Sequence, residues 1–233
     1  MTALEINGSL VHPDQCDRCP AREVGLFADV TGEERERLLS RLRHIRGPAG
    51  TTLYREGEPG HDVFIVRLGL IKLVKRTSEG TARIVRLARP GDVLGLGTIV
   101  GQNHGRTATA MTTFDACRVP LGLLTHDTER IPGLAHKLFV HWERAKDAAD
   151  EFLTELSTGS AHKRVARLLL YLLHQAPHPI CPSVSREEMG ELLGITTETA
   201  SRIVAEFKRQ GVLSETGYVF RCDLEKLRAV AHS

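Results

Sequence analysis

At 233 residues, with 41% hydrophobic and 26% charged side chains, the chain has ordinary globular composition and the length for two domains that each bury a core. That composition excludes disorder as a default, and no apolar run approaches the ~20 residues that span a bilayer, the strongest being Leu168 to Leu173. A net charge of +2 neither demands nor excludes nucleic acid, because a local basic patch matters more than the total.

Residues 1–25 have mixed polarity and two prolines, and they read as a tail carrying a CxxC, Cys16 and Cys19. They show no basic start followed by an apolar core, so no secretory leader is expected and the protein is predicted to be cytoplasmic. Five cysteines, an odd number, then argue against a disulfide framework. A short helix follows, with Thr31 and Glu34 in the spacing of a capping box and Leu38, Leu39 and Leu42 as its apolar face.

From Gly50 to Pro120 short apolar runs (Val63–Leu68, Leu70–Val74, Ile84–Leu87) alternate with glycine-rich turn signals. That texture predicts a β-sandwich or roll over 26–131. After Pro132 the periodicity becomes helical through about residue 158. Ala135, Leu138, Trp142, Ala145, Ala149, Phe152 and Leu156 step by three and four, a heptad seam flanked by charges. An amphipathic helix packed on its own domain shows a stripe too, but spacing held over three heptads favours a dimer helix. Gly159 and Ser160 interrupt, a second helix is expected from Ala161 to Gln175, and Pro177, Pro179 and Pro182 mark a linker.

Residues 185–213 read SREEMGELLGITTETASRIVAEFKRQGVL. Ser185 and Glu188 form a capping box, Gly194 stands where a tight turn needs left-handed backbone, Thr196 caps a second helix and Gly211 ends it. Met189, Leu192, Leu193, Ile195, Ala200, Ile203, Val204 and Phe207 bury where the two helices cross, so the segment is a helix-turn-helix. Its second helix exposes Thr197, Glu198, Ser201, Arg202 and Arg209. A carboxylate accepts from a cytosine amino group and an arginine grips guanine O6 and N7, so Glu198 and Arg202 are the expected base readers. A surface ion pair at the same i, i+4 spacing is the plainer alternative. The stretch Gly217-Tyr-Val-Phe-Arg-Cys222 suggests a wing, and Lys163, Arg164 and Lys208 are candidates for phosphate contact.

This order of parts resembles the CRP/FNR family of bacterial regulators over residues 26–233. The resemblance implies an α+β fold: a cyclic-nucleotide-binding-like β-roll (26–131), a dimerisation helix (132–158) and a winged helix-turn-helix (159–233). It implies a homodimer on palindromic double-stranded DNA, with recognition helices about 34 Å apart and RNA polymerase as a further partner of an activator. The Glu198-x-x-Ser201-Arg202 pattern is similar to the FNR branch and implies a TTGAT half-site. Cyclic-nucleotide members carry Gly-Glu for the ribose; here Gly95-Leu96 stands in its place, with Arg106-Thr107 at the position of the phosphate contact. The cyclic-nucleotide reading is kept as the alternative. FNR-branch sensors hold a [4Fe-4S] cluster on four cysteines. Cys16, Cys19 and Cys117 match three of them, while Gly25 stands at the other, with His12, Asp14, Asp17 and Glu23 as possible substitutes. A thiol–disulfide switch or a metal on the CxxC remains open, and Cys181 and Cys222 read as packing residues. Eleven scattered histidines show no haem or zinc spacing, and no Gly-rich phosphate loop or GxSxG elbow points to an enzyme. A CxxC oxidoreductase would want its motif at a strand-to-helix junction, and here it lies in a tail.

Overall fold

The computed structural model describes residues 9–10, 16, 19, 26–27, 30–126, 131, 133–173 and 178–232. Pro132 and Pro177, two of the expected breaks, lie outside the described residues. The chain divides into two compact units, residues 1–75 with 85–148 and residues 76–84 with 149–233.

In the first unit β1 (Ser9–Leu10), β2 (Arg43–Gly47), β9 (Phe114–Pro120), β4 (Asp62–Leu68) and β7 (Val93–Leu94) form one sheet in the order β1-β2-β9-β4-β7. A second sheet runs β3 (Thr52–Tyr54), β8 (Thr107–Ala110), β5 (Ile71–Arg76) and β6 (Ala82–Ala88). Strand β4 is buried on both faces, which explains its continuous apolar run. Phe64 and Val66 join Ile45, Ile71, Leu73, Phe114 and Ala116 in one core. Val63 and Ile65 turn the other way, onto a core with Leu38, Leu39, Val119, Leu123 and Leu134. Those last residues come from α1 (Gly32–Arg41), β9, α2 (Leu121–His126) and α3 (Leu134–Leu156). Thr31 does cap α1 in extended backbone, but its side chain makes no capping bond, so the expected box with Glu34 does not form. Glu34 pairs with Arg37 instead.

Helix α3 runs through the break between the units, which falls at 148/149, whereas the sequence reading places its boundaries at the helix ends. Its burial revises the expected seam. Leu138 packs on the outer core of the first unit, and Phe152 and Leu156 are buried inside the chain. The exposed large apolar side chains of α3 are Phe139 (74%), Trp142 (43%) and Leu153 (63%). With Ala149 they are spaced by three, seven and four along a stripe that shares Trp142 and Ala149 with the predicted one and is shifted toward Phe139 and Leu153.

In the second unit α4 (Ala161–Leu173), α5 (Arg186–Leu193), α6 (Thr197–Arg209) and α7 (Leu224–His232) accompany a three-stranded sheet ordered β10-β12-β11. Its strands are β10 (Ile180–Pro182), β11 (Leu213–Thr216) and β12 (Val219–Cys222). Strands β11 and β12 pair through a two-residue turn, Gly217-Tyr218, which is the expected wing. Met189, Leu192, Leu193, Ala200, Ile203, Val204 and Phe207 are all buried where α5 and α6 meet. The close crossing depends on Gly190: an added Cβ would meet the Ile195 carbonyl oxygen at 2.8 Å. Gly190→Ala is therefore expected to destabilise this unit by ~1–3 kcal/mol, the range for overpacking, read as a lower midpoint in urea. A midpoint equal to wild type would mean that the turn is loose enough to absorb a methyl group.

Candidate nucleic-acid interface and sensor site

Two local devices set the attitude of α6. Ser185 accepts from the Glu188 N–H while Glu188 accepts from the Ser185 N–H, so the predicted capping box closes α5. Gly194 then turns the chain in left-handed backbone (φ +63), and the Thr196 hydroxyl accepts from the Thr199 N–H at 3.1 Å to open α6.

Beyond that cap, Thr197, Glu198, Ser201 and Arg202 are all exposed on one face. Ser201 returns its hydroxyl to the Thr197 carbonyl at 2.9 Å, and Arg202 donates to Glu198 across one turn. Both expected readings of that pair therefore coexist: it is an i, i+4 ion pair in the free chain, and it faces solvent. An exposed pair of this kind is worth ~0–1 kcal/mol, so exchanging it for base contacts costs little.

The basic residues proposed for phosphate contact divide differently. Arg164 donates to the Leu193 carbonyl at the end of α5 and holds the turn. Lys208 and Arg186 both pair with Glu215 on β11, and Arg186 also lies 5.6 Å over the Phe220 ring. The two cations hold the Glu215 carboxyl below its usual range, Lys208 foremost. This clamp docks the wing on the helices, and no local sequence pattern marks it, since its partners are 29 and 7 residues apart. At the wing tip Tyr218 is 92% exposed.

In the first unit the residues expected at a nucleotide pocket are arranged around aromatic side chains. Leu96 is buried and belongs to the outer core. The Thr107 hydroxyl accepts from the Glu56 N–H at 3.0 Å, and Arg106 is exposed. Tyr54 stacks on His104, ring centroids 3.8 Å apart, and hydrogen-bonds the backbone of Gly95. Burial pushes its phenol up to about 12, opposed by the charges of Arg86 and Arg106. A cavity of about 230 Å³ opens beside this stack, lined in part by Glu58, His61, Asp62 and Arg118.

His104 is held below the usual imidazole range by burial, against the pull of Glu58 and Asp62. His141 on α3 is held down by burial and then by Arg144. Both take up a proton less readily in the fold than in the unfolded chain, which protonates below about pH 6.5, so their contribution is complete above that pH and is lost on acidification. The thermal midpoint is expected to fall between pH 7.5 and 5.5, and to fall less in His104→Phe, which keeps a ring on Tyr54. An equal fall in both proteins would assign the effect to other groups.

On the outer face of the five-stranded sheet lie the three cysteines singled out in the sequence. Cys117 stands opposite His44 on β2 and Ile65 on β4. Cys16 and Cys117 each pack against the outer core. Between Val66 and Leu68 the β4–β9 register slips, and the residue at the slip, Arg67, donates from Nε to Cys19 Sγ at 3.3 Å. Arg67 also pairs with Asp115 at 3.2 Å, and His44 lies against the same carboxylate. Burial pushes the Cys117 thiol up to about 12; Arg67 opposes this, and Cys19 and Cys16 add to it.

Cys16, Cys19 and Cys117 thus lie in one region of the first unit, and among the described residues they do not complete the ligand set of a [4Fe-4S] cluster. Such a cluster wants four thiolates, and here one sulfur is already engaged by a guanidinium. Among the described residues no group of three or more His, Cys, Asp or Glu is arranged to hold a metal ion. His12, Asp14, Asp17, Glu23 and Gly25, named for the remaining ligand position, lie outside the described residues.

Residues 163–230 match the family model of the Crp-like helix-turn-helix domain, and residues 45–125 match that of the cyclic nucleotide-binding domain. The chain is 27% identical over 211 residues to the transcriptional activator protein anr of Pseudomonas aeruginosa, covering 87% of this chain and 86% of that one. To the fumarate and nitrate reduction regulatory protein of Vibrio cholerae it is 25% identical over 223 residues, covering 92% and 87%. Among solved structures, FixK2 from Bradyrhizobium japonicum superposes with a TM-score of 0.72 at 26% identity, over 81% of this chain and 96% of that one.

Proposed function

We propose, from the premise that this chain belongs to the CRP/FNR family of DNA-binding transcription regulators, that it is a cytoplasmic homodimer reading a TTGAT-type palindrome under redox control. The observation that carries the reading is the exposed Glu198–Arg202 face at the capped start of α6. The N-terminal half of such a helix meets base edges in the major groove. Arg202 then grips the guanine of the half-site and Glu198 accepts from the cytosine paired with it, while Thr196, Thr197 and Ser201 approach the backbone and neighbouring bases. Tyr218 on the wing meets the sugar-phosphate flank.

Arg202→Ala is expected to lose ~1–3 kcal/mol of preference for the cognate base pair in fluorescence anisotropy on a TTGAT duplex, with the protein's oligomeric state intact. Equal affinity of mutant and wild type for that duplex would sink the assignment of Arg202. The second copy is supplied by the stripe Phe139, Trp142, Ala149 and Leu153, and RNA polymerase is the further partner of an activating complex.

The signal enters through Cys16, Cys19 and Cys117 as thiols. Cys16 and Cys117 on the outer core, with Cys19 held by Arg67, support that reading. Iron and acid-labile sulfide, measured on protein purified without oxygen, test it: none is expected, and near-stoichiometric amounts would replace the thiol reading with a cluster. The alternative, cyclic-nucleotide control through Arg106 and Thr107, has against it Leu96 in place of the ribose acceptor and Tyr54 bonded at Gly95. Lost hydrogen-bond partners are what discriminate such ligands most sharply.

A further inference from the structure

Cys181 and Cys222 are 41 positions apart in sequence, and both are buried. They lie on β10 and β12, neighbours in the small sheet of the second unit. The register explains the placement. Phe220 stands directly opposite Cys181, and the Cys222 N–H donates to the Pro179 carbonyl at 2.9 Å. Cys222 is thus two residues along from the partner of Cys181, on the same face of the sheet.

The structure assigns this pair as a second redox site, a dithiol that a small-molecule disulfide converts to a Cys181–Cys222 disulfide, weakening DNA binding. The two thiols perturb each other's ionisation, Cys222 being held below its usual range and Cys181 raised. Cys222, the less buried of the two, is the sulfur that attacks. As thiolate it attacks one sulfur of the oxidant, whose S–S bond breaks and releases one small thiolate. Cys181 then loses its proton and attacks the mixed disulfide at Cys222, expelling the second small thiolate. Two protein thiols have lost two protons and two electrons, and the oxidant has become two thiols. Access follows from the sheet order: β10 is a three-residue edge strand, the sort of element that opens locally without global unfolding.

The consequence for DNA follows from distances typical of sheets. Diagonal positions on paired strands stand about 7–8 Å apart at Cα, whereas a disulfide takes about 4.4–6.8 Å. Closing the bond must draw β10 along β12. That movement is delivered to two places. Ser183 donates to the Tyr218 carbonyl at the wing turn, and Ser185 caps α5 three residues after β10 ends. The closed loop contains the whole helix-turn-helix and the wing.

The functional half of this inference rests on the DNA reading above, so the test separates the two. Full-length protein, reduced and then treated with oxidised glutathione under native conditions, is digested without reduction. A link between the tryptic peptides carrying Cys181 (168–186) and Cys222 (222–226) is expected, and its absence after prolonged oxidation overturns the site whatever happens to DNA. In parallel, affinity for the TTGAT duplex is expected to fall at least about tenfold on oxidation and to return with dithiothreitol. Cys222→Ala, or Cys181→Ala should the first lose its circular dichroism spectrum, is expected to keep its affinity under oxidant. The same loss in those variants would overturn the link to DNA and assign it to the thiols of the first unit. Failure of the reduced wild type to bind the duplex would sink the TTGAT reading, while the peptide map still decides the redox pair.

Discussion

Replacing Arg67 with alanine is expected to cost about 3 kcal/mol of stability, read as a shift of the urea midpoint with an unchanged slope. Arg67 is buried and holds three groups at once: Asp115, His44 and Cys19. Without it the Asp115 carboxylate remains largely buried beside His44, and removing one partner of a buried pair commonly costs ~3–5 kcal/mol. The lower end applies because Arg46 also reaches Asp115, at 3.1 Å, although its own side chain is 67% exposed and its contribution is screened. Arg67→Lys keeps the charge but not the fork that spans the three partners, and it should recover only part of the loss. A loss below about 1 kcal/mol for alanine would show that water reaches Asp115 and that the network is not a buried one. The same variant tests the proposed thiol site. Cys19 loses its hydrogen-bond donor, so its rate of alkylation by iodoacetamide is expected to change, and a rate equal to wild type would separate Arg67 from the thiol site.

What was legible in the sequence, and what was not, follows from how local each feature is. The box of Ser185 and Glu188 and the turn at Gly194 involve neighbours along the chain, and the sequence reading of residues 185–213 agrees with the structure. Thr31 and Glu34 have identical spacing, yet Glu34 turns to Arg37 and the box stays open, so spacing permits a cap without compelling one. Arg67 carries no sequence signal, because a single arginine in an apolar strand says nothing about a register slip. The Glu215 clamp and the Cys181–Cys222 juxtaposition depend on pairings that only the folded sheet creates. On α3 the difficulty is of another kind. Leu138 stands beside Phe139 and Phe152 beside Leu153, so two overlapping apolar stripes that share Trp142 and Ala149 are both compatible with a helical period. Only burial shows which stripe this chain uses for itself.

That choice sets the largest effect expected at the proposed dimer interface. A Phe139→Glu, Trp142→Glu double variant is expected to sediment as a monomer at concentrations where the proposed dimer of wild type forms. Phe139, Trp142 and Leu153 are exposed in the single chain, and a two-fold contact buries each of them twice. At ~1.5–3 kcal/mol per large apolar side chain, six give roughly 9–18 kcal/mol before the ~4–15 kcal/mol that association costs. The margin is small, so losing four of the six and setting like charges against one another removes it. Dissociation at least about a hundredfold easier is expected, the equivalent of ~2.7 kcal/mol. Leu138→Ala addresses the other stripe. Leu138 packs on the outer core of its own unit, so its truncation should lower thermal stability and leave the dimer in place. If the double variant stays dimeric while Leu138→Ala dissociates, the interface lies on the stripe first read from the heptads. If the double variant is monomeric, its affinity for a palindrome should drop to that for a single half-site, because two recognition helices about 34 Å apart act together only when α3 holds them there.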